Sequence, residues 1–129
     1  MKITQEAVTD VLVIKSYGDG FLLVQSPQQP PQKITQNCII TPDGLIFDLD
    51  LDAIVDTADK ALLENIRLLQ PDIILLINEA GITPETLKLA AGFAEMGIAM
   101  ETLLQGSACR TYNLLLTEGR KPVLLARFK

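Results

Sequence analysis

The run Leu104-Gln105-Gly106-Ser107-Ala108-Cys109-Arg110 holds the residue types most able to do chemistry. A glycine and a serine at a helix start leave backbone N–H groups pointing outward, which is how a phosphate or carboxylate is cradled. Cys109 falls in the first turn of that helix, where the dipole favours the thiolate. Arg110 adds a positive charge beside it. The chemistry on offer is anion binding by Gly106, Ser107 and Arg110, or a nucleophilic thiol. The plainer use of the same residues is a serine cap, a buried cysteine and a surface arginine. One glycine and one serine make neither a Walker loop nor a dinucleotide fingerprint.

Arg110-Thr111-Tyr112-Asn113 makes the front of the helix polar, ahead of Leu114-Leu115-Leu116. Helical spacing puts Cys109, Tyr112, Asn113 and Leu116 on one side, with Arg110 a neighbour of Asn113. Either Tyr112 fills the core with its hydroxyl satisfied, or these residues form a patch that a partner reads. Glu118 and Arg120 lie beside such a patch. A second place is Asn78-Glu79-Ala80-Gly81, which ends the most apolar strand. Ligands of open α/β sheets sit beyond strand C-termini. Both turns follow strands, so a crevice between residues 78–81 and 106–110 would bring Glu79, as acid or base, near the anion holders Ser107 and Arg110. Cys109 would be its nucleophile. Gly81 also reads simply as a turn glycine.

Asp48-Leu49-Asp50-Leu51-Asp52 is the densest acidic cluster, with Asp56 and Asp59 following at calcium-loop spacing. Ala53 stands where such a loop needs glycine, and Asp59 where it needs a bidentate glutamate. The cluster reads as a solvated strand edge running into a helix start, and no metal site is assigned.

Composition narrows the choices. The chain has 129 residues, 48% of them apolar, which suits one domain with a sizeable core. One domain over residues 1–129 is expected. Sixteen acids against 11 bases give a net charge of −5, which disfavours nucleic acid as a partner. There is no histidine, so the usual general base and the Ser-His and Cys-His nucleophiles are excluded. Two cysteines cannot build an all-thiolate zinc site, which takes four. Cys38 and Cys109 read as reduced, buried thiols. The start Met1-Lys2-Ile3-Thr4-Gln5-Glu6 has no apolar run and carries an early acid. No signal or transit peptide, no membrane span and a cytoplasmic location are therefore expected.

These residues must be positioned by a framework that the rhythm of the chain outlines. Val11 to Tyr17 and Phe21 to Val24 flank Gly18-Asp19-Gly20 and read as a hairpin. Ser26 to Gln32 is a proline-rich loop. Ile34 to Thr41 reads as a third strand, Pro42-Asp43-Gly44 as a turn and Leu45-Ile46-Phe47 as a fourth strand. Ala58, Ala61, Leu62, Ile66 and Leu69 then fall at helical spacing, with Thr57 or Asp56 as cap and Asp59 in the first turn. Ile73 to Ile77 reads as a strand buried on both faces. Thr83-Pro84 starts a helix through Leu87, Ala90, Ala91 and Ala94 that stops at Gly97. Ile98-Ala99-Met100 is a short strand, Gly106 to Thr117 a helix and Val123 to Phe128 a last strand. The order predicts an α/β fold in three layers, with a mixed central sheet, helices on it and an extra β-rich N-terminal part.

Ala108-Cys109-Arg110-Thr111-Tyr112-Asn113-Leu114-Leu115, followed by Glu118-Gly119-Arg120, resembles the signature of the Mth-domain family. Ser16-Tyr17-Gly18 with Gly20-Phe21, Pro71-Asp72-Ile73-Ile74-Leu75 and Gly97-Ile98 resemble its hairpin, its central strand and the approach to its motif. The resemblance runs from about Ile3 to Phe128. It implies a three-layer α/β fold and no established enzymatic activity. The family includes a mitochondrial complex I assembly factor that acts by protein contact. The expected function is thus a non-catalytic protein-interaction or assembly factor, related to a respiratory complex by resemblance. Its partner surface would include Arg110, Thr111 and Asn113, with no cofactor. The alternative is a small-anion site or thiol-dependent enzyme in the crevice described above. A homo-oligomer stays open.

Overall fold

The computed structural model describes residues 11–128. Residues 1–10 and Lys129 lie outside it, and so does the expectation about the N-terminal segment. The first three strands are β1 (Val13–Gly18), β2 (Phe21–Gln25) and β3 (Gln32–Ile34). They form an antiparallel sheet in the order β1-β2-β3. Asp19 and Gly20 turn the hairpin between Gly18 and Phe21, and Gly20 takes the positive φ of 78° that favours glycine.

The single strand expected over Ile34 to Thr41 is two. β3 ends at Ile34, and β4 (Cys38–Thr41) starts anew in a different sheet. Thr35-Gln36-Asn37 is the polar crossing between the two sheets. Asn37 fixes it by accepting, at 2.7 Å, the N–H of Phe128. β5 (Gly44–Ile46), β6 (Ile73–Ile77), β7 (Met100–Leu103) and β8 (Pro122–Ala126) complete a five-stranded sheet in the order β5-β4-β8-β6-β7. β6 runs parallel to β7 and β8, while β4 runs antiparallel to β5 and β8, so the sheet is mixed. β7 lies later than the expected Ile98–Met100.

Among the described residues there are four helices: α1 (Leu51–Thr57), α2 (Lys60–Arg67), α3 (Pro84–Glu95) and α4 (Gln105–Thr117). The acidic stretch was expected to lead into one helix, and it forms two. Asp50 caps α1 by accepting from the Ala53 N–H, and Asp59 caps α2 by accepting from the Ala61 N–H. Ala58, at φ 51°, breaks the chain between them. Thr57 and Asp56 are therefore helix residues and not caps. Thr83 caps α3 with Pro84 in its first turn, as its sequence predicts, and Thr86 closes a capping box.

Strand periodicity sorts the core into two sides of the large sheet. Ile39, Ile74, Leu76, Val123 and Leu125 face α1, α2 and α3, where Ile54, Leu63, Ile66, Leu89 and Phe93 meet them. Cys38, Ile40, Leu75, Ile77, Leu124 and Ala126 face α4 and the small sheet. The route of the chain accounts for this. Going from β6 to β7 and then back past β6 to β8 reverses direction. Two right-handed crossovers then need their helices, α3 and α4, on opposite faces. The three layers are α1–α3, the five-stranded sheet, and α4 with the small sheet. On α3 the buried side chains are Thr86, Leu89 and Phe93, while Leu87 is exposed. No helix among the described residues is long and apolar enough to cross a membrane.

Candidate functional site

The polar front of α4 is built against the β1–β2 hairpin. Leu104 is the N-cap and offers no side-chain hydrogen bond, so Ser107 sits inside the helix and is not its cap. Gln105 instead donates from Nε2 to two hairpin carbonyls, Gly18 at 2.9 Å and Phe21 at 2.8 Å. Arg110 donates from Nη1 to the Tyr17 hydroxyl at 3.0 Å. Gly106 leaves room for the Tyr17–Arg110 contact, whose side chains would have to shift to admit a Cβ. A Cβ there would stand 2.7 Å from the Tyr17 hydroxyl oxygen and 3.2 Å from Arg110 Nη1.

One turn further in, Tyr112 is fully buried, and its hydroxyl donates to the Leu12 carbonyl at 3.0 Å. Asn113 behaves as a short piece of strand. Its Oδ1 accepts from the Ile14 N–H at 3.1 Å, and its Nδ2 donates to the Ile14 carbonyl at 2.7 Å. Both backbone groups point away from β2 at the place where the β1–β2 register shifts between Ile14 and Ser16. The side-chain amide thus closes the outer edge of β1 at a bulge. Four residues of one helix face, Gln105, Arg110, Tyr112 and Asn113, fasten a sheet 84 to 100 positions away in the chain. Sequence spacing placed three of them on or beside one face. The role of Gln105 had no signal of its own beyond its position before Gly106.

Burial decides between the two readings of Cys109 in favour of the buried thiol and against the nucleophile. Cys109 is 3% exposed, and desolvation pushes its pKa from 9.0 to about 12 against the opposing effect of Arg110. Being in the first turn of a helix does not offset loss of solvent. Cys38 is buried likewise, also pushed up to about 12, and both cysteines are free. Burial raises the Tyr112 hydroxyl too, with the nearby negative charge of Asp43 adding to it.

The turn at residues 78–81 opens elsewhere. Asn78, Glu79 and Ala80 line a cavity of about 470 Å³ with Val55, Asp56, Thr83, Glu85 and Arg127. These residues belong to the side of the sheet that α1 and α3 cover. Gly106 to Arg110 meet the hairpin on the other side, so the structure does not bring Glu79 together with Ser107, Cys109 and Arg110 in this cavity. Asn78 donates to the Gly81 carbonyl at 2.7 Å and is buried, while Gly81 takes φ 75°. Sequence reading did not foresee Arg127, which reaches Asp52 at 2.9 Å and Asp56 at 3.6 Å. Three acids of the expected solvated cluster are thereby used, Asp50 as a cap and Asp52 and Asp56 as partners of Arg127. Among the described residues no group of three or more His, Cys, Asp or Glu is placed to hold a metal ion.

Thr111 is half-buried, while Arg110, Leu114, Glu118 and Arg120 stay exposed along the outer side of α4 and past its end. Leu114 is 58% exposed.

The profile of a protein family of unknown function, DUF498/DUF598, matches residues 14–126. Among solved structures, a Xanthomonas campestris protein is 23% identical, with 91% of this chain and 84% of that one covered at a TM-score of 0.70. A Bartonella henselae protein described as an outer membrane protein is 23% identical, over 93% of this chain and 97% of that one, with a TM-score of 0.66. A Bordetella pertussis protein described as a Mth938-like domain is 19% identical, over 93% and 86%, with a TM-score of 0.59. At these identities the likeness establishes a shared fold. Among proteins of curated function none matches.

Proposed function

We propose that this chain, which belongs to the DUF498/DUF598 family and has the Mth-type α/β fold, is a non-catalytic interaction module. The observation that carries the reading is how the residues at the front of α4 are used. Cys109, Tyr112, Asn113 and Gln105 are buried or bonded to the hairpin backbone, whereas Leu114, Glu118 and Arg120 face outward beside Arg110, which stays exposed while it bonds Tyr17. A charged rim around an exposed leucine suits protein contact better than chemistry. The module works in the cytoplasm as an assembly or accessory factor, and the resemblance points to respiratory complexes as the kind of assembly served.

Affinity capture at native expression level tests this, with bound proteins identified by mass spectrometry. The control is a doubly charge-reversed variant, Arg110→Glu with Arg120→Glu, first shown to be folded. A small set of partners lost in that variant is the expected result. Unchanged capture by the folded variant contradicts the assigned surface. No partner above background would instead favour a small anion at Gly106, Ser107 and Arg110, read as thermal stabilisation by phosphate. Fractionation of cells checks the cytoplasmic location.

A further inference from the structure

β7 forms one margin of the five-stranded sheet, and among the described residues no strand pairs with its outer edge. The carbonyls of Ala99 and Leu103 point to β6, where they accept from the N–H groups of Ile74 and Asn78. Strand alternation then turns the N–H and C=O groups of Met100 and Thr102 outward. An edge of this kind is a template for one more strand.

The two sides of that edge differ in chemistry. On the α3 side, Met100 and Thr102 join Ile82, Thr86, Leu87 and Ala90 around a groove of about 300 Å³, which runs over the strand edge and is lined there by Glu101 and Leu103 as well. Ile82 is 70% exposed and Leu87 60%, and Leu104, the residue after β7, is 60% exposed as well. Strand alternation turns Glu101 the other way from Met100 and Thr102, in register with the buried Leu75, and leaves it exposed at the margin of the same groove. Among the described residues no ion pair involves Glu101.

We infer that the β7 edge takes an extended segment of a partner protein that is apolar at alternate positions and basic between them. The apolar residues enter the groove beside Ile82 and Leu87, and the basic residue lies next to Glu101. Outward backbone groups select a strand, and the alternation of faces selects its pattern. Charge argues against a second copy of this chain as occupant. The antiparallel register that pairs both outward-facing residues sets Met100 against Thr102 of the other copy. It sets Glu101 directly opposite Glu101, and like charges opposed across strands destabilise the pair. The inference rests on the reading of the chain as an interaction module and gives it a second surface of stated chemistry.

Two fluorescein-labelled nine-residue peptides alternating valine with threonine test it, one with lysine and one with glutamate at the centre. Fluorescence anisotropy with the full chain should show the lysine peptide binding about five-fold more tightly, the scale of a cross-strand charge pair. Glu101→Lys should invert the preference. Thr102→Pro should abolish binding of both, since proline at an outward-facing edge position removes the donor without touching the β6 ladder. If Thr102→Pro does not fold, the inversion by Glu101→Lys decides alone. Equal binding of the two peptides, or none at millimolar concentration, overturns the inference. A concentration-dependent dimer that the lysine peptide does not dissociate gives the edge to a second copy and overturns it also. If the peptides fail while capture through Arg110 and Arg120 persists, the inference falls and the interaction reading stands.

Discussion

The two sides of the five-stranded sheet are covered by different means. On one side α1, α2 and α3 come from adjacent stretches of chain, carry their own caps, and meet the sheet chiefly through apolar side chains, with Arg127 past the end of β8 pairing Asp52 and Asp56 of α1 at the margin. On the other side a small three-stranded sheet must be held by a helix about a hundred residues away, and polar side chains do much of the holding. A three-stranded sheet is barely able to stand by itself. Its edge and its bulge leave backbone groups that only a polar side chain can satisfy once water is gone. Residues of the kind that make active sites are recruited for that purpose. Apolar side chains stay exposed on both sides, Ile82 and Leu87 on the one and Leu114 on the other.

The largest effects should come from breaking each side in its own way. Phe93→Ala empties the helix-side core and should cost about 3–5 kcal/mol in chemical denaturation. Asn113→Ala leaves the N–H and C=O of Ile14 without partners and should cost about 2–4 kcal/mol with almost no cavity, the lower part of the range for two orphaned groups at about 1–3 kcal/mol each, because both bonds are only part-buried. Tyr112→Phe keeps the ring and strands only the Leu12 carbonyl, for about 1–3 kcal/mol.

Alkaline pH separates the sides further. Cys38, Cys109 and Tyr112 all lie in the hairpin-side core, and burial raises the pKa of each in the folded state. A raised folded pKa means that the unfolded chain loses its protons first. The stability these groups contribute is present below about pH 9 and drains away between 9.0 and about 12. Denaturation midpoints measured across that window should fall, and Cys109→Ala should make the fall shallower. The smallest effect is expected at Ala58, whose φ of 51° suits glycine better. Ala58→Gly should change stability by less than about 1 kcal/mol, and in the stabilising direction.

Much of the framework was legible in the sequence. The hairpin, β6, the Thr83-Pro84 start and the last strand follow from turn residues and apolar runs. The split between β3 and β4 was not, because one apolar stretch serves two sheets and only the contact of Asn37 with the distant Phe128 marks the break. The two short helices were merged because Asp50 and Asp59 cap only once the fold sets their φ and ψ. At the candidate site, spacing gathered Cys109, Tyr112 and Asn113 correctly onto one face. It could not tell what that face met, since a polar residue beside a strand bulge and one beside a ligand have the same sequence signature. The choice between a buried and a reactive thiol at Cys109 turned on a related point. Helix position is local and readable, whereas burial by β1 and β2 is not.

The central claim is that the polar front of α4 is a fastener for the small sheet. Native-state hydrogen exchange on Asn113→Ala against the unsubstituted chain tests it directly. The account predicts faster exchange concentrated in β1, β2 and β3, with α1, α2, α3 and β6 still protected. Uniform loss of protection across both sides, or an unchanged small sheet, would contradict it.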